Sequence, residues 1–367
     1  MTDVYNPDIK ALLQQTKDDW GSPEVNRKSL VPYGMEPFDK YLYGIDVVNG
    51  ELILVMGQEK RRKTTFAINV VINYMLTDWL TDKPATVIDT LESGMTPVRY
   101  RDQMISNLAT RWLLNEGHFA KGSCAECGAD KCRQLQITPE YLRYNTRTPA
   151  QKLAIDYAMD TMGSWPLFIF GASPAQGGTR NLLTSVRGGR TIKDTWHHLW
   201  QQFHGSMSDS KADPTKISRW EYMINEFGAK IFVSDHVQQY SFENEITDYE
   251  KQLRAVSAIS DAVSMHKIAA IVLSQVSLTS VRESRGGQGR IGAMGGSKLA
   301  QEANVAMSTH YDPDKGGQMT ISLEESRKSG MFHVITRIED KSGAFYGPAE
   351  LHWNRKDLRL QDDDDAA

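Results

Sequence analysis

The sequence predicts an α/β protein: a mainly parallel sheet with helices on both faces, a β-rich C-terminal end and a small Cys-containing insertion. Three observations carry this. Short apolar runs alternate with segments of helical spacing along most of the chain, the order that builds crossover units around a parallel sheet. The run Glu51–Met56 is mostly apolar and stops at Gly57, as a strand buried on both faces does. From Thr320 onward the runs are short and turn-separated, which predicts strands without intervening helices.

Taken in order, residues 7–20 (PDIKALLQQTKDDW) read as an amphipathic helix ahead of a Gly-Ser-Pro break. Glu51–Met56 is a strand, and Thr64–Leu80 a helix with Phe66, Val70, Ile72 and Met75 at helical spacing. Ala85–Leu91 is a strand, Pro97–Leu114 a helix, and residues 115–165 are irregular and contain the cysteines. Leu167–Phe170 is a strand, Thr191–Phe203 a helix and Gly205–Asp213 a Ser/Asp-rich loop. Ser218–Phe227 is helical, Lys230–Ser234 a strand, Tyr249–His266 a helix and Ala269–Ser274 a strand. Arg282–Ser297, rich in Gly and Arg, reads as a mobile loop. Thr320–Leu323, Phe332–Ile338 and Ala349–Trp353 are short strands. The organisation is thus an N-terminal helical or linker segment (1–29), one α/β unit (30–360, with the insertion at about 115–165) and an acidic tail (361–367). The four aspartates Asp362–Asp365 are most simply a solvated end; an acidic docking tail is the alternative.

Composition narrows the function classes. The 367 residues are 40% hydrophobic and 24% charged, ordinary for a globular chain, and the formal net charge of −4 excludes a basic nucleic-acid coat. Contact with nucleic acid would have to come from local patches. No stretch approaches the roughly 18 apolar residues of a membrane span, and MTDVYNPDIK lacks the regions of a signal peptide. A cytoplasmic protein is the expectation. The three cysteines all fall within Cys124–Cys132, which argues against a disulfide framework.

The segment after the first strand is Gly57-Gln58-Glu59-Lys60-Arg61-Arg62-Lys63-Thr64-Thr65. A phosphate loop needs backbone N–H groups aimed at phosphates from a helix N-terminus, a Lys for the β- and γ-phosphates and a Ser or Thr for Mg²⁺. Gly57, Lys63 and Thr64 stand at the required offsets, but Arg62 replaces the second Gly, where the backbone must adopt a shape that Gly takes freely. On this segment alone, a basic strand-to-helix turn is an equal reading.

Companion segments separate the two readings. YGMEPFDKYLYGIDVVNGELILVMGQEKRRKTTFAINV, IDTLESG, IFVSDHVQQ, IVLSQVS and GGSKLAQEANVAMSTHYD occur in this order. From about residue 30 to 360 the chain resembles the C-terminal motor domain of DnaB-type replicative helicases, within the RecA superfamily. The resemblance implies a RecA-like ATPase motor domain with ATP and Mg²⁺ as cofactors. It implies nucleotide contacts along Gly57, Gln58, Lys60, Arg61, Arg62, Lys63, Thr64 and Thr65. Lys63 would neutralise phosphate charge, and Thr64 and Asp235 would hold Mg²⁺. Glu92 would orient or deprotonate the attacking water, and Gln275 would sense the γ-phosphate. The plain alternatives are a helix N-terminal charge for Glu92 and a strand-end polar residue for Gln275.

The resemblance places a DNA loop after Gln275, VSLTSVRESRGGQGRIGAMGGSK, in which Arg282, Arg285, Arg290 and Lys298 interleave with six glycines. Such a loop suits a single-stranded phosphate backbone and has no aromatic side chain for base stacking; a surface loop is the alternative. Near the C-terminus, Arg337 and Lys341 are the candidates for reaching a neighbouring subunit's nucleotide, in a homo-oligomer expected to be a hexameric ring. The stretch from Glu92 to Asp235 looks longer than the family's, and neither the N-terminal domain of the bacterial helicase nor a primase domain has room. Cys124-x2-Cys127-x4-Cys132, with His118 as fourth ligand, suits a structural Zn²⁺; three reduced cysteines on a loop is the alternative. The function implied is an ATP-driven, ring-forming DNA helicase of phage-like compactness, translocating on single-stranded DNA and working with replication partners. A RecA-type recombination or repair ATPase and a hydrolysis-deficient DNA-binding scaffold are the alternatives.

Overall fold

A computed structural model of the chain describes residues 30–59, 62–77, 83–90, 95–115, 137–140, 142, 147–171, 219–239, 248–275, 300–312, 317–328, 332–338 and 342–353. Its centre is a nine-stranded sheet in the order β11-β10-β9-β8-β3-β7-β6-β4-β5. The parallel strands are β3 (Glu51–Gly57), β4 (Thr86–Thr90), β5 (Leu167–Gly171), β6 (Ile231–Asp235), β7 (Ala269–Gln275) and β8 (Val305–Asp312). From β8 the sheet continues antiparallel through β9 (Gln318–Ser326), β10 (Phe332–Ile338) and β11 (Phe345–Trp353). Two short strands, β1 (Leu30–Val31) and β2 (Ile45–Asp46), pair separately around helix α1 (Glu36–Leu42). The sheet is the mixed, mainly parallel one that the sequence predicts.

Strand alternation divides the core in two. On β3, Ile53 and Val55 join Phe66, Val70, Met104 and Leu108, from helices α2 (Lys63–Leu76) and α3 (Pro97–Asn115), on one face. Leu52, Leu54 and Met56 join Trp220, Tyr222, Val256 and Ile259, from α5 (Arg219–Phe227) and α6 (Asp248–His266), on the other. Every residue of β3 is buried, which explains why its sequence is a run rather than an alternation. α5 is pinned to β4 by Trp220, whose Nε1 donates to Asp89 Oδ2 at 2.6 Å.

One expectation fails clearly. Residues 115–165 are not irregular throughout, because Pro149–Gly163 forms helix α4, packed on α3. Its start carries a readable signal: Thr148 and Gln151 make a reciprocal capping box with Pro149 at the first helical position. β8 and α1 are elements beyond those the sequence predicts; β9 and β11 are longer than expected, while β10 has the predicted bounds. The described part of the helix expected over Thr64–Leu80 ends at Leu76. The predicted helices at 7–20 and 191–203, the cysteines with His118, the Arg282–Lys298 loop and the acidic tail lie outside the described residues. No described helix is long and apolar enough to cross a membrane.

The register sets the site. Gly57 pairs with Gln275 across β3 and β7, Asp235 with Leu273 across β6 and β7, and Thr90 with Asp235 across β4 and β6. The carboxyl ends of these strands therefore share one edge. α2 follows β3 on one face of the sheet and α6 follows β6 on the other, which opens a crevice at that edge, the usual ligand position in such sheets.

At the N-terminus of α1, Asp39 accepts from the Tyr33 and Gly34 amides at 2.6 and 3.0 Å. Burial pushes its carboxyl up from 3.8 to about 6, with the amide bonds pulling the other way. A raised folded value means the fold favours the protonated acid. That contribution is complete below about pH 4 and is lost as pH rises through about 6. Asp39→Asn is therefore expected to gain stability relative to wild type between pH 4 and pH 7. Urea unfolding of both proteins across that range checks this; a constant difference would contradict it.

Candidate functional site

At the crevice, the chain leaves β3 at Gly57 and enters α2 at Lys63. Glycine is required at 57, since a Cβ there would lie 2.7 Å from Thr309 Oγ1 and 3.1 Å from the Thr309 carbonyl. The Lys63 side chain folds back, and its Nζ donates to the carbonyls of Gly57 and Gln58 at 2.9 Å each. Two neutral carbonyls hold the ammonium over the loop. An arriving polyanion would compete with them readily, because bonds between ions are stronger than ion–carbonyl bonds.

Arg62, the departure from the glycine pattern, sits at φ 66°, ψ 26° as the N-cap of α2. Its backbone thus takes the left-handed shape that glycine would supply, and the loop keeps its turn. Its guanidinium carbon lies 4.9 Å from the centroid of the Tyr311 ring, a cation–π contact. The backbone shape costs about 1–2 kcal/mol for a non-glycine residue, and the stack returns about 0.5–1 kcal/mol. Arg62→Gly relieves the first, loses the second and frees the unfolded chain by a further ~0.5–1 kcal/mol. Its stability is expected to stay within about 1 kcal/mol of wild type by this sum. Arg62→Val loses the stack and forces a β-branched residue into the same shape, so it is expected to lose about 2 kcal/mol. Urea midpoints of the two variants separate these outcomes, and equal midpoints for the Arg62→Val and wild-type proteins would contradict the left-handed assignment.

Thr64 Oγ1 donates to Asp235 Oδ2 at 2.7 Å, so the two residues expected to hold Mg²⁺ are already in contact. A hydroxyl and a carboxylate are hard oxygen donors, the set that binds Mg²⁺ together with water and substrate phosphates. Among the described residues no group of three or more His, Cys, Asp or Glu side chains is placed to hold a metal. Tyr100, on α3, is fully buried near this pair, and its hydroxyl has no partner among the described residues. Burial first, and the Asp235 charge second, hold its phenol well above the ordinary value, so it stays a neutral donor.

These groups surround a cavity of about 430 Å³ lined by Arg62, Lys63, Thr64, Thr65, Asp235 and Gln275 of the predicted residues. Glu59, Met95, Gln103, His236 and Tyr311 line it as well, beyond those the sequence singles out for the site. His236 and Tyr311 fall within the companion segments, so their positions are readable. Gln103 reaches the cavity only through the packing of α3, which no local pattern reports. Glu92, Lys60, Arg61, Lys341, Arg282, Arg285, Arg290 and Lys298 lie outside the described residues. Glu92 follows Thr90, the last residue of β4, by two positions. Arg337 is a β10 residue paired with Gln318 and Tyr346.

Behind the loop, Asn69 ties α2 to the segment before β11. Its Nδ2 donates to the Thr65 and Gly343 carbonyls at 2.7 and 2.9 Å, and its Oδ1 accepts from the Phe345 amide at 3.1 Å. Gly343 has φ +73°, and a Cβ there would meet Thr65 Cγ2 at 2.9 Å. The turn that follows Lys341 is therefore seated on the first turn of α2.

Among solved structures, the chain is similar to one described as an ATPase domain, with TM-score 0.62 and 12% identity over 94% of this chain and 99% of that one. It is also similar to one described as a DnaB-like replicative helicase and its interactions with primase, with TM-score 0.60 and 13% identity over 94% of this chain and 68% of that one. No family model and no curated protein matches the sequence. At such identities the likeness establishes the RecA-like α/β fold that these ATPase domains share.

Proposed function

We propose that the chain is an ATP-hydrolysing motor: a ring-forming helicase that translocates on single-stranded DNA in the cytoplasm. The observation that carries this reading is the convergence of Lys63, the Thr64–Asp235 pair and Gln275 on one cavity at the carboxyl edge of the sheet. The fold is that of helicase ATPase domains.

In this reading Lys63 leaves its two carbonyls for the β- and γ-phosphates, and the N-terminus of α2 directs backbone N–H groups at them. Thr64 and Asp235 hold Mg²⁺, which when bound neutralises phosphate charge. Glu92 takes a proton from water as the water oxygen bonds to the γ-phosphorus and the bridging P–O bond breaks, leaving ADP and phosphate. Gln275 reads the presence of the γ-phosphate. Arg337 or Lys341 reaches the neighbouring subunit's nucleotide across a hexameric ring. Arg282, Arg285, Arg290 and Lys298 track the DNA backbone, and Cys124, Cys127, Cys132 and His118 hold a structural Zn²⁺. Replication proteins are the expected partners; the second structural relative was described with primase. The glycine-like shape of Arg62 supports hydrolysis over a hydrolysis-deficient scaffold.

The test is ATP hydrolysis with and without single-stranded DNA, combined with unwinding of a forked duplex. DNA-stimulated hydrolysis with unwinding supports the proposal. Hydrolysis with strand exchange and no unwinding would replace it with the recombination reading, and an absence of hydrolysis would sink both.

A further inference from the structure

The Asp235 strand end continues into a short 3-10 turn, Val237–Gln239, which points one side chain back across the sheet. Gln238 Nε2 donates to the Gln275 backbone carbonyl at 2.9 Å, to Ser274 Oγ at 3.0 Å and to Gln252 Oε1 at 3.3 Å. Ser274 and Gln252 are buried, and Val237 is fully buried beside them. The Gln238 amide thus sits in a part-buried cage between β6, β7 and α6, next to the strand ends whose Asp235 and Gln275 line the cavity.

The cage is poorly matched to the amide. An amide nitrogen has two protons, and three acceptors face it here. Its own Oε1 is buried without a partner among the described residues. A buried acceptor left open disfavours that arrangement by an amount comparable to the bonds made. Turning the amide over would bring Oε1 to the Ser274 hydroxyl, which can donate, and would set it against the Gln275 carbonyl oxygen, which would then have to move away. Turning the Gln252 amide with it would supply a second N–H. The two arrangements of the amide differ in whether the peptide leaving Gln275 is held. A two-state element of this kind is what coupling between sites requires.

We infer that Gln238 is a positioning residue that couples occupation of the nucleotide cavity at Asp235 to the strand end at Gln275, and through it to DNA binding. This rests on the proposed motor function. It adds a connection between two strands, because Asp235 ends β6 and Gln275 ends β7, and the Gln238 amide bridges the turn after one to the backbone of the other.

The test measures the affinity of a fluorescent single-stranded oligonucleotide with and without a non-hydrolysable ATP analogue, in wild type and in Gln238→Met. Methionine matches the length of glutamine and removes both the donors and the open acceptor. The ratio of the two affinities is expected to fall by about 5-fold to about 150-fold, the usual range of coupling between sites. Nucleotide affinity and basal hydrolysis without DNA should stay within about 2-fold, since no cavity contact is lost. Ser274→Ala, a smaller change that leaves two acceptors for two protons, should lower the ratio in the same direction and guards against misfolding of the methionine variant. An unchanged ratio in both variants would overturn the inference and leave the motor function standing. An equal loss of nucleotide affinity with and without DNA would also overturn it, as a purely structural role. A wild-type protein whose affinities for DNA and nucleotide are independent would overturn the motor function itself.

Discussion

Lys63→Ala is expected to lower the turnover of ATP by about 10²–10³-fold, the effect of removing one preorganised donor from developing transition-state charge. The fold should tolerate the change. The ammonium is bonded to the Gly57 and Gln58 carbonyls, and Lys63 lines the cavity. Water replaces a lost donor there, so the stability change should stay below about 1 kcal/mol. Nucleotide affinity should fall less than turnover, because the amides at the start of α2 and the Thr64–Asp235 pair still hold the phosphates and Mg²⁺ in the proposed complex. Phosphate release under saturating ATP, with nucleotide affinity measured in parallel, separates the two effects. Turnover within about threefold of wild type would remove Lys63 from the chemistry. Equal losses in affinity and in the rate of single-turnover cleavage would assign it to ground-state binding instead.

Why Lys63 is legible in the sequence, while much of its surroundings is not, has a physical basis. Strands buried on both faces announce themselves as apolar runs, and β3, β6 and β7 lie within a residue or two of the runs that predict them. The proposed phosphate loop is recognisable by offsets from Gly57, although its decisive glycine is absent. Its shape survives because a single non-glycine residue can be held left-handed when its side chain has a surface to lie on, and Tyr311 provides that surface for Arg62. What stays hidden depends on contacts distant in sequence. Gln103 reaches the site from α3, and the Gln238 cage joins β6, β7 and α6. No period or motif encodes such meetings. The omission of α4 has a different cause, since the Thr148–Gln151 capping box is readable but lies in a stretch dominated by the cysteine spacing.

The largest stability loss is expected at Asn69, a fully buried residue on α2 six positions after Lys63. Its amide satisfies groups from three parts of the chain. Nδ2 serves the Thr65 and Gly343 carbonyls, while Oδ1 accepts from the Phe345 amide, from Asn107 Nδ2 and from Arg111. Arg111 is the sensitive member. Its other acceptors among the described residues are the neutral amide oxygens of Asn73 and Asn107, and burial pushes it down to about 10, so it remains a cation at neutral pH. Asn69→Ala strips one acceptor from that cation and leaves the Gly343 carbonyl and the Phe345 N–H without their partner. At about 1–3 kcal/mol for each buried group left open, the expected loss is about 3–5 kcal/mol, a large share of the roughly 5–15 kcal/mol typical of a domain. Asn69→Asp restores an acceptor for Arg111 but turns oxygens towards the Thr65 and Gly343 carbonyls, so it should recover only part of the loss. Urea unfolding of the two variants measures this, and an alanine variant within about 1 kcal/mol of wild type would show that water or repacking fills the node. Because Gly343 rests on Thr65, the same substitution should loosen the turn following Lys341 against α2. ATP affinity should then fall in Asn69→Ala even at temperatures where the protein is fully folded.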